Sequence, residues 1–155
     1  GSEMCIRDRT PSFNAPSHFV AKHRPELIAS KEDVLAEIGD ESCCIINALD
    51  PEEFAGRGPV RYGRPGHIPG SINLPAMGLA DPQTHAYLDA DVLRKQFIAA
   101  GALDKDRVIT YCGGGIAGSS TAFILTLLGA KSVALYNGSM TEWAADPALP
   151  MEVDS

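Results

Sequence analysis

A short apolar run leads directly into a glycine-rich segment in Val108-Ile109-Thr110-Tyr111-Cys112-Gly113-Gly114-Gly115-Ile116-Ala117-Gly118-Ser119-Ser120. The first four residues are β-branched or aromatic, which favours a buried strand. The next segment, Ser119–Leu128, is almost wholly apolar and predicts a buried helix that ends at Gly129. A strand, a glycine turn and a helix in this order are typical of an α/β sheet that binds its ligand at the turn.

The remaining chain alternates short apolar runs with helical patterns. The runs that predict further strands are Cys43–Ala48, Ser71–Leu74 and Val133–Tyr136. Helices are predicted where a capping residue precedes apolar positions at helical spacing, as happens after Ser30, Asp50 and Asp89. Because the strands are continuously apolar and separated by helices, they indicate a three-layer α/β domain, with a mainly parallel sheet flanked by helices on both faces.

The length and composition of the chain limit its class. The 155 residues suggest one domain, which we expect at residues 30–153, after a non-native leader and a linker or arm at residues 1–29. The formal charge of −7 argues against nucleic acid or an anionic membrane as the main partner, since both require a cationic surface. No signal peptide or membrane span is evident, and the four cysteines are too few for a disulfide scaffold, so we expect a cytoplasmic protein with reduced thiols.

Three chemistries use a glycine-rich turn between a strand and a helix. Gly113, Gly115 and Gly118 satisfy the dinucleotide-binding pattern G-x-G-x-x-G, but Asn137 stands near the position of its acidic partner. A phosphate-binding P-loop requires a lysine where this chain has Ser119. Neither pattern is complete, so both are weak explanations of the turn.

The third chemistry is a nucleophilic cysteine at position 112. The main-chain N–H groups from Gly113 through Gly114, Gly115, Ile116, Ala117 and Gly118 can surround its sulfur, and the helix that follows adds partial positive charge. Both effects favour a thiolate over a thiol. The alternative is a core cysteine beside a structural glycine turn. A phosphatase is disfavoured, because positions 108–130 contain no lysine or arginine to hold a phosphate dianion.

Three motifs in this order resemble the rhodanese family of sulfurtransferases. They are the loop Cys112–Gly118, the segment Gly66-His67-Ile68-Pro69-Gly70-Ser71-Ile72-Asn73-Leu74-Pro75 and the segment Tyr136-Asn137-Gly138-Ser139-Met140-Thr141-Glu142-Trp143. The stretch after Trp143 is similar to the C-terminal catalytic module of tandem thiosulfate or 3-mercaptopyruvate sulfurtransferases. The resemblance is compatible with an isolated catalytic half of such a protein and equally with a single-module relative.

The resemblance implies a sulfane-sulfur transfer without a metal or organic cofactor. Cys112 would take sulfur from a small anionic donor as a persulfide and pass it to cyanide, a thiol or a thioredoxin-like acceptor. The family's mercaptopyruvate branch has a serine where this chain has Gly114, which favours thiosulfate or a persulfidated partner over mercaptopyruvate as the donor. The alternative is a catalytically weak or silent module that binds a partner or a sulfur-carrier protein.

The candidates for donor binding are cations outside the glycine-rich loop. Arg61 and Arg64 precede the Gly66–Gly70 turn, and Arg57 is a third candidate. A dianionic donor needs local positive charge to approach a protein of net negative charge. We therefore predict that Arg61 and Arg64 bind substrate, and we expect no metal site.

Overall fold

A computed structural model describes His18 and residues 20–154. The strands, in chain order, are β1 (Ile28–Ala29), β2 (Cys43–Asn47), β3 (Ile72–Asn73), β4 (Arg107–Tyr111) and β5 (Val133–Tyr136). The α-helices are α1 (Lys31–Glu37), α2 (Pro51–Phe54), α3 (Ala90–Ala99), α4 (Ile116–Leu127) and α5 (Ser139–Trp143). Two 3-10 turns cover Pro25–Leu27 and Ala76–Leu79.

The five strands form one parallel sheet in the order β1-β5-β4-β2-β3. Alternate residues of β2 face opposite layers, so Cys43 and Ile45 pack with α1 and α5, while Cys44 and Ile46 pack with α3 and α4. The predicted three-layer α/β fold is therefore confirmed.

Local signals also set the helix starts. Ser30 and Asp33 form a reciprocal capping box at α1, and the Asp50 side chain accepts a hydrogen bond from the Glu52 N–H at α2. None of the described helices combines the length and apolar character that a membrane crossing requires.

Apart from shifts of one residue at strand ends, two elements differ from the sequence-based expectation. Ile28 and Ala29, which the sequence assigns to the linker, pair with Leu135 and Tyr136 as the edge strand β1. The helix expected to begin at Ser119 begins three residues earlier, at Ile116. Gly118 therefore lies inside α4, where a Cβ atom would stand 3.1 Å from the main chain of Tyr111. Glycine at this position allows α4 to pack closely on β4.

The two cysteines of β2 predict a loss of stability at high pH. Burial raises the pKa of the Cys43 thiol to about 12 and that of Cys44 to about 11. An unfolded thiol ionises near pH 8.5, so above that pH the unfolded state binds fewer protons than the folded state. We expect the free energy of unfolding to be unaffected by these thiols below about pH 8.5. It should then fall by up to about 1.4 kcal/mol per pH unit per thiol toward pH 11.

Urea unfolding at pH 7.5, 9 and 10 measures this decline. The variant Cys44→Ala should show a shallower decline than the wild type, whatever its stability at pH 7.5. If the free energy of unfolding fell equally steeply with pH in the two proteins, Cys44 would not be a cause of the decline.

Candidate active site

Cys112 lies at the carboxyl end of the central strand β4, immediately before the turn into α4. Its side chain is 3% exposed, and its Sγ accepts a hydrogen bond of 3.1 Å from the Gly115 N–H. The first main-chain bond of α4 runs from the Ser119 N–H to the Gly115 carbonyl. The N–H groups of residues 116–118 therefore have no acceptor within the helix, and the first of them lies four residues after Cys112. These amides and the helix terminus favour an anion at this end of the sheet.

Glycine is required at two positions of the loop for different reasons. Gly115 has φ +89°, and a Cβ atom there would lie 2.8 Å from Asn137 Oδ1 and 2.9 Å from the Asn137 carbonyl oxygen. At Gly113 the Cβ atom would overlap the phenol end of Tyr62. At Gly114 the nearest atom, Thr141 Oγ1, would be 3.7 Å away, so that position has room for a larger residue.

The first turn of α5 holds the cysteine loop in place. Ser139 Oγ accepts a hydrogen bond of 3.2 Å from the Cys112 N–H and donates one of 2.8 Å to the Tyr136 carbonyl. The Met140 N–H donates to the Cys112 carbonyl at 3.0 Å. Thr141 donates to the Gly113 carbonyl from both its N–H and its hydroxyl.

Sequence reasoning did not assign these serine and threonine roles. The sequence did contain a signal for them, because Ser139 and Thr141 follow shortly after the end of β5. The carboxyl ends of parallel strands lie at one edge of the sheet, which brings these hydroxyls to the edge where Cys112 lies.

Arg64 has a structural role, which leaves little of its guanidinium for the substrate binding predicted from the sequence. Its guanidinium donates four hydrogen bonds of 2.7–3.1 Å to main-chain carbonyls at the end of α5 and just after it, namely those of Trp143, Ala144, Asp146 and Leu149. Four of the five N–H donors of an arginine are thereby committed to the fold. The arginine thus ties residues 56–66 to the C-terminal end of α5, the helix whose first turn is bonded to Cys112.

Arg61 and Arg57 remain at the surface. The Arg61 side chain is 63% exposed, and its Nε lies 3.2 Å from Glu53 Oε1. Arg57 is paired with Glu52 at 3.3 Å. A cleft at this surface is lined by Glu53, Arg61, Tyr62 and Met140. Tyr62 and Met140 also contact the cysteine loop, at Gly113 and at the Cys112 carbonyl. Arg61 is thus the arginine of the predicted pair whose charge faces solvent beside the site.

His67 and Trp143 contribute to packing. The His67 Nδ1–H donates to the Phe54 carbonyl at 2.8 Å, and its ring stacks on that of Phe54 with centroids 3.7 Å apart. Trp143 is fully buried, and its indole N–H donates to the Pro150 carbonyl. Across His18 and residues 20–154, no group of three or more His, Cys, Asp or Glu side chains is arranged to bind a metal ion.

Comparison with known proteins gives one family. The rhodanese-like domain family matches residues 30–146. The chain is 35% identical to thiosulfate/3-mercaptopyruvate sulfurtransferase 2 of Arabidopsis thaliana, over 88% of this chain and 40% of that protein. It is 34% identical to a putative thiosulfate sulfurtransferase of Mycolicibacterium smegmatis, over 88% of this chain and 52% of that protein. The chain thus spans about half the length, or less, of these relatives.

Solved structures have the same fold. The Tum1 protein of Saccharomyces cerevisiae superposes with a TM-score of 0.71 at 26% identity, over 83% of this chain and 47% of that one. The anaerobic ergothioneine biosynthesis enzyme of Chlorobium limicola superposes with a TM-score of 0.77 at 22% identity, over 85% of this chain and 33% of that one. With the family match over residues 30–146, the resemblance expected from the three motifs is confirmed, and the chain belongs to the rhodanese family.

Proposed function

We propose that the protein is a sulfurtransferase in which Cys112 carries sulfane sulfur as a persulfide. The observation that carries this proposal is the hydrogen bond from the Gly115 N–H to the Cys112 sulfur, at the strand end where α4 begins. Such amides stabilise a thiolate, a persulfide anion and the charge that develops between them. Residues 30–153 are the catalytic domain in this proposal.

The reaction consists of two nucleophilic displacements at sulfur. The Cys112 thiolate attacks the outer sulfur of thiosulfate, a sulfur–sulfur bond forms at Cys112, and sulfite leaves with the electron pair of the broken bond. A nucleophile, such as cyanide, a small thiol or a thioredoxin-like thiol, then attacks the terminal sulfur and releases the Cys112 thiolate. No metal or organic cofactor takes part, and the cycle needs a reduced thiol, which favours the cytoplasm.

Thiosulfate or a related anion is the proposed donor. The names of the relatives include thiosulfate. Arg61, an exposed cation paired with Glu53, is the chain neighbour of Tyr62, which contacts the cysteine loop. The absence of a lysine or arginine at positions 108–130 disfavours a phosphate dianion at the same loop.

Mass spectrometry of the intact protein and its peptides tests the proposal. After incubation with millimolar thiosulfate, Cys112 should gain one sulfur atom, ~32 Da, and cyanide should remove it. The peptide with Cys43 and Cys44 should keep its mass, because burial raises the pKa of both thiols to about 11 or above. A Cys112 peptide of unchanged mass would favour a silent module that binds a partner.

A further inference from the structure

Tyr62 lies directly on the cysteine loop. A Cβ atom built on Gly113 would overlap Tyr62 Cζ and Oη, so the phenol end is in immediate contact with the residue that follows Cys112. The side chains of Arg64, His67 and Thr141 donate their hydrogen bonds to main-chain carbonyls and not to Tyr62. The Tyr62 hydroxyl has no hydrogen-bond partner among His18 and residues 20–154. A polar group beside an anion-binding loop is thus free to bind a ligand.

Cys112 is buried although the rim of its loop is open. Cys112 is 3% exposed, whereas Gly114 is exposed and Ile116 is 86% exposed. A donor molecule must contact Sγ, so part of this cover has to move. The cover on the α5 side is fixed, because Met140 and Ser139 hydrogen-bond the main chain of Cys112.

The segment that carries Tyr62 is held at its ends. The N–H groups of Arg57 and Gly58 donate to the Glu52 carbonyl, and His67 pairs with Glu152 at the other end. Between them, residues 59–65 make no main-chain to main-chain hydrogen bond within the described part of the chain. Side chains hold it instead, through the four bonds of Arg64 and the Arg61–Glu53 pair. The part of the cover that can turn aside is therefore the Tyr62 side chain, which packs against the edge of the core.

We propose that Tyr62 closes the Cys112 site and donates a hydrogen bond from its hydroxyl to the anionic end of the sulfur donor. This inference rests on the proposed function for the identity of the ligand. Arg61, the neighbouring residue in the chain, adds positive charge on the same side. The segment then has two effects: the ring limits access to the sulfur, and the hydroxyl selects an anion.

Alkylation of Cys112 separates these effects without any sulfur transfer. Iodoacetamide and iodoacetate are similar in size and differ in charge, and the rate of alkylation at Cys112 is followed by peptide mass spectrometry. Tyr62→Ala should raise the rates with both reagents by about tenfold, because the apparent rate scales with the fraction of open sites. Tyr62→Phe keeps the ring and should lower the iodoacetate rate relative to the iodoacetamide rate.

Steady-state kinetics provide a second measurement. Tyr62→Phe should raise the KM for thiosulfate by about tenfold, the effect of one lost hydrogen bond to a charged group. The matched control is Tyr87→Phe, which removes a surface hydroxyl bonded to Ser120 and should change neither the alkylation rates nor KM. Thermal unfolding is recorded for every variant, and Tyr62→Leu replaces Tyr62→Ala if the latter does not fold.

The outcomes are decisive for Tyr62 even if the proposed function is wrong. Unchanged alkylation of Tyr62→Ala would overturn the closing role. An unchanged reagent ratio in Tyr62→Phe would overturn the anion-binding role. A wild-type protein that forms no persulfide would refute the proposed function, and the two alkylation comparisons would still decide what Tyr62 does.

Discussion

Replacing Cys112 by serine should abolish thiocyanate formation from thiosulfate and cyanide. A serine hydroxyl is not ionised at neutral pH and cannot carry sulfane sulfur, so we expect kcat to fall by roughly a thousandfold or more. The substitution changes one atom at a site whose main chain is fixed by Ser139 and Met140. The unfolding midpoint should therefore remain within a few degrees of the wild-type value.

Two measurements check this expectation. Thiocyanate is assayed at saturating thiosulfate, and thermal unfolding is followed for the same preparation. Cys44→Ala is the control, since Cys44 lies on the sheet away from the loop and its loss should leave turnover intact. Turnover that survives in Cys112→Ser would mean that another group carries the sulfur.

Replacing Arg64 by alanine should destabilise the fold by roughly 2–4 kcal/mol, because four main-chain carbonyls lose a charged donor at a partly buried site. That is a large share of the stability of a typical domain. Arg64→Lys should recover little of it, since an ammonium group cannot reproduce the planar geometry of the guanidinium.

Arg61→Ala is the matched control at a neighbouring arginine. Its partner Glu53 is 3.2 Å away and its own side chain is mostly exposed, so its removal should change the free energy of unfolding by less than about 0.5 kcal/mol. The same variant should raise the KM for thiosulfate. Urea unfolding of both variants measures the contrast. A wild-type unfolding midpoint in Arg64→Ala would contradict the anchoring role.

The layers of the fold and the place of Cys112 could be predicted because both depend on local patterns. Continuous apolar runs such as Val108–Tyr111 define buried parallel strands, and the glycines after Cys112 define the turn. The edge strand Ile28–Ala29 could not be predicted, since two residues show no periodicity. The start of α4 at Ile116 was missed because the glycines around it favour a loop, whereas packing on β4 extends the helix.

The roles of Arg64 and Tyr62 required tertiary structure. Arg64 binds main-chain carbonyls, and such acceptors have no signature in the sequence. Tyr62 contacts Gly113 across fifty positions of the chain, from a segment rich in glycine and proline without helical or strand period. A charge near a predicted turn was evident from the sequence, but the direction in which each side chain points was not.

The attachment of the cysteine loop to α5 also determines when the site around Cys112 can form during synthesis. Cys112 and Gly113 are bonded to Ser139, Met140 and Thr141, which a ribosome adds after the cysteine. A nascent chain that ends before these residues exposes the thiol without its supporting contacts. The reactivity of the Cys112 thiol toward a sulfur donor should therefore appear abruptly, when β5 and α5 pack onto the sheet, rather than grow with chain length.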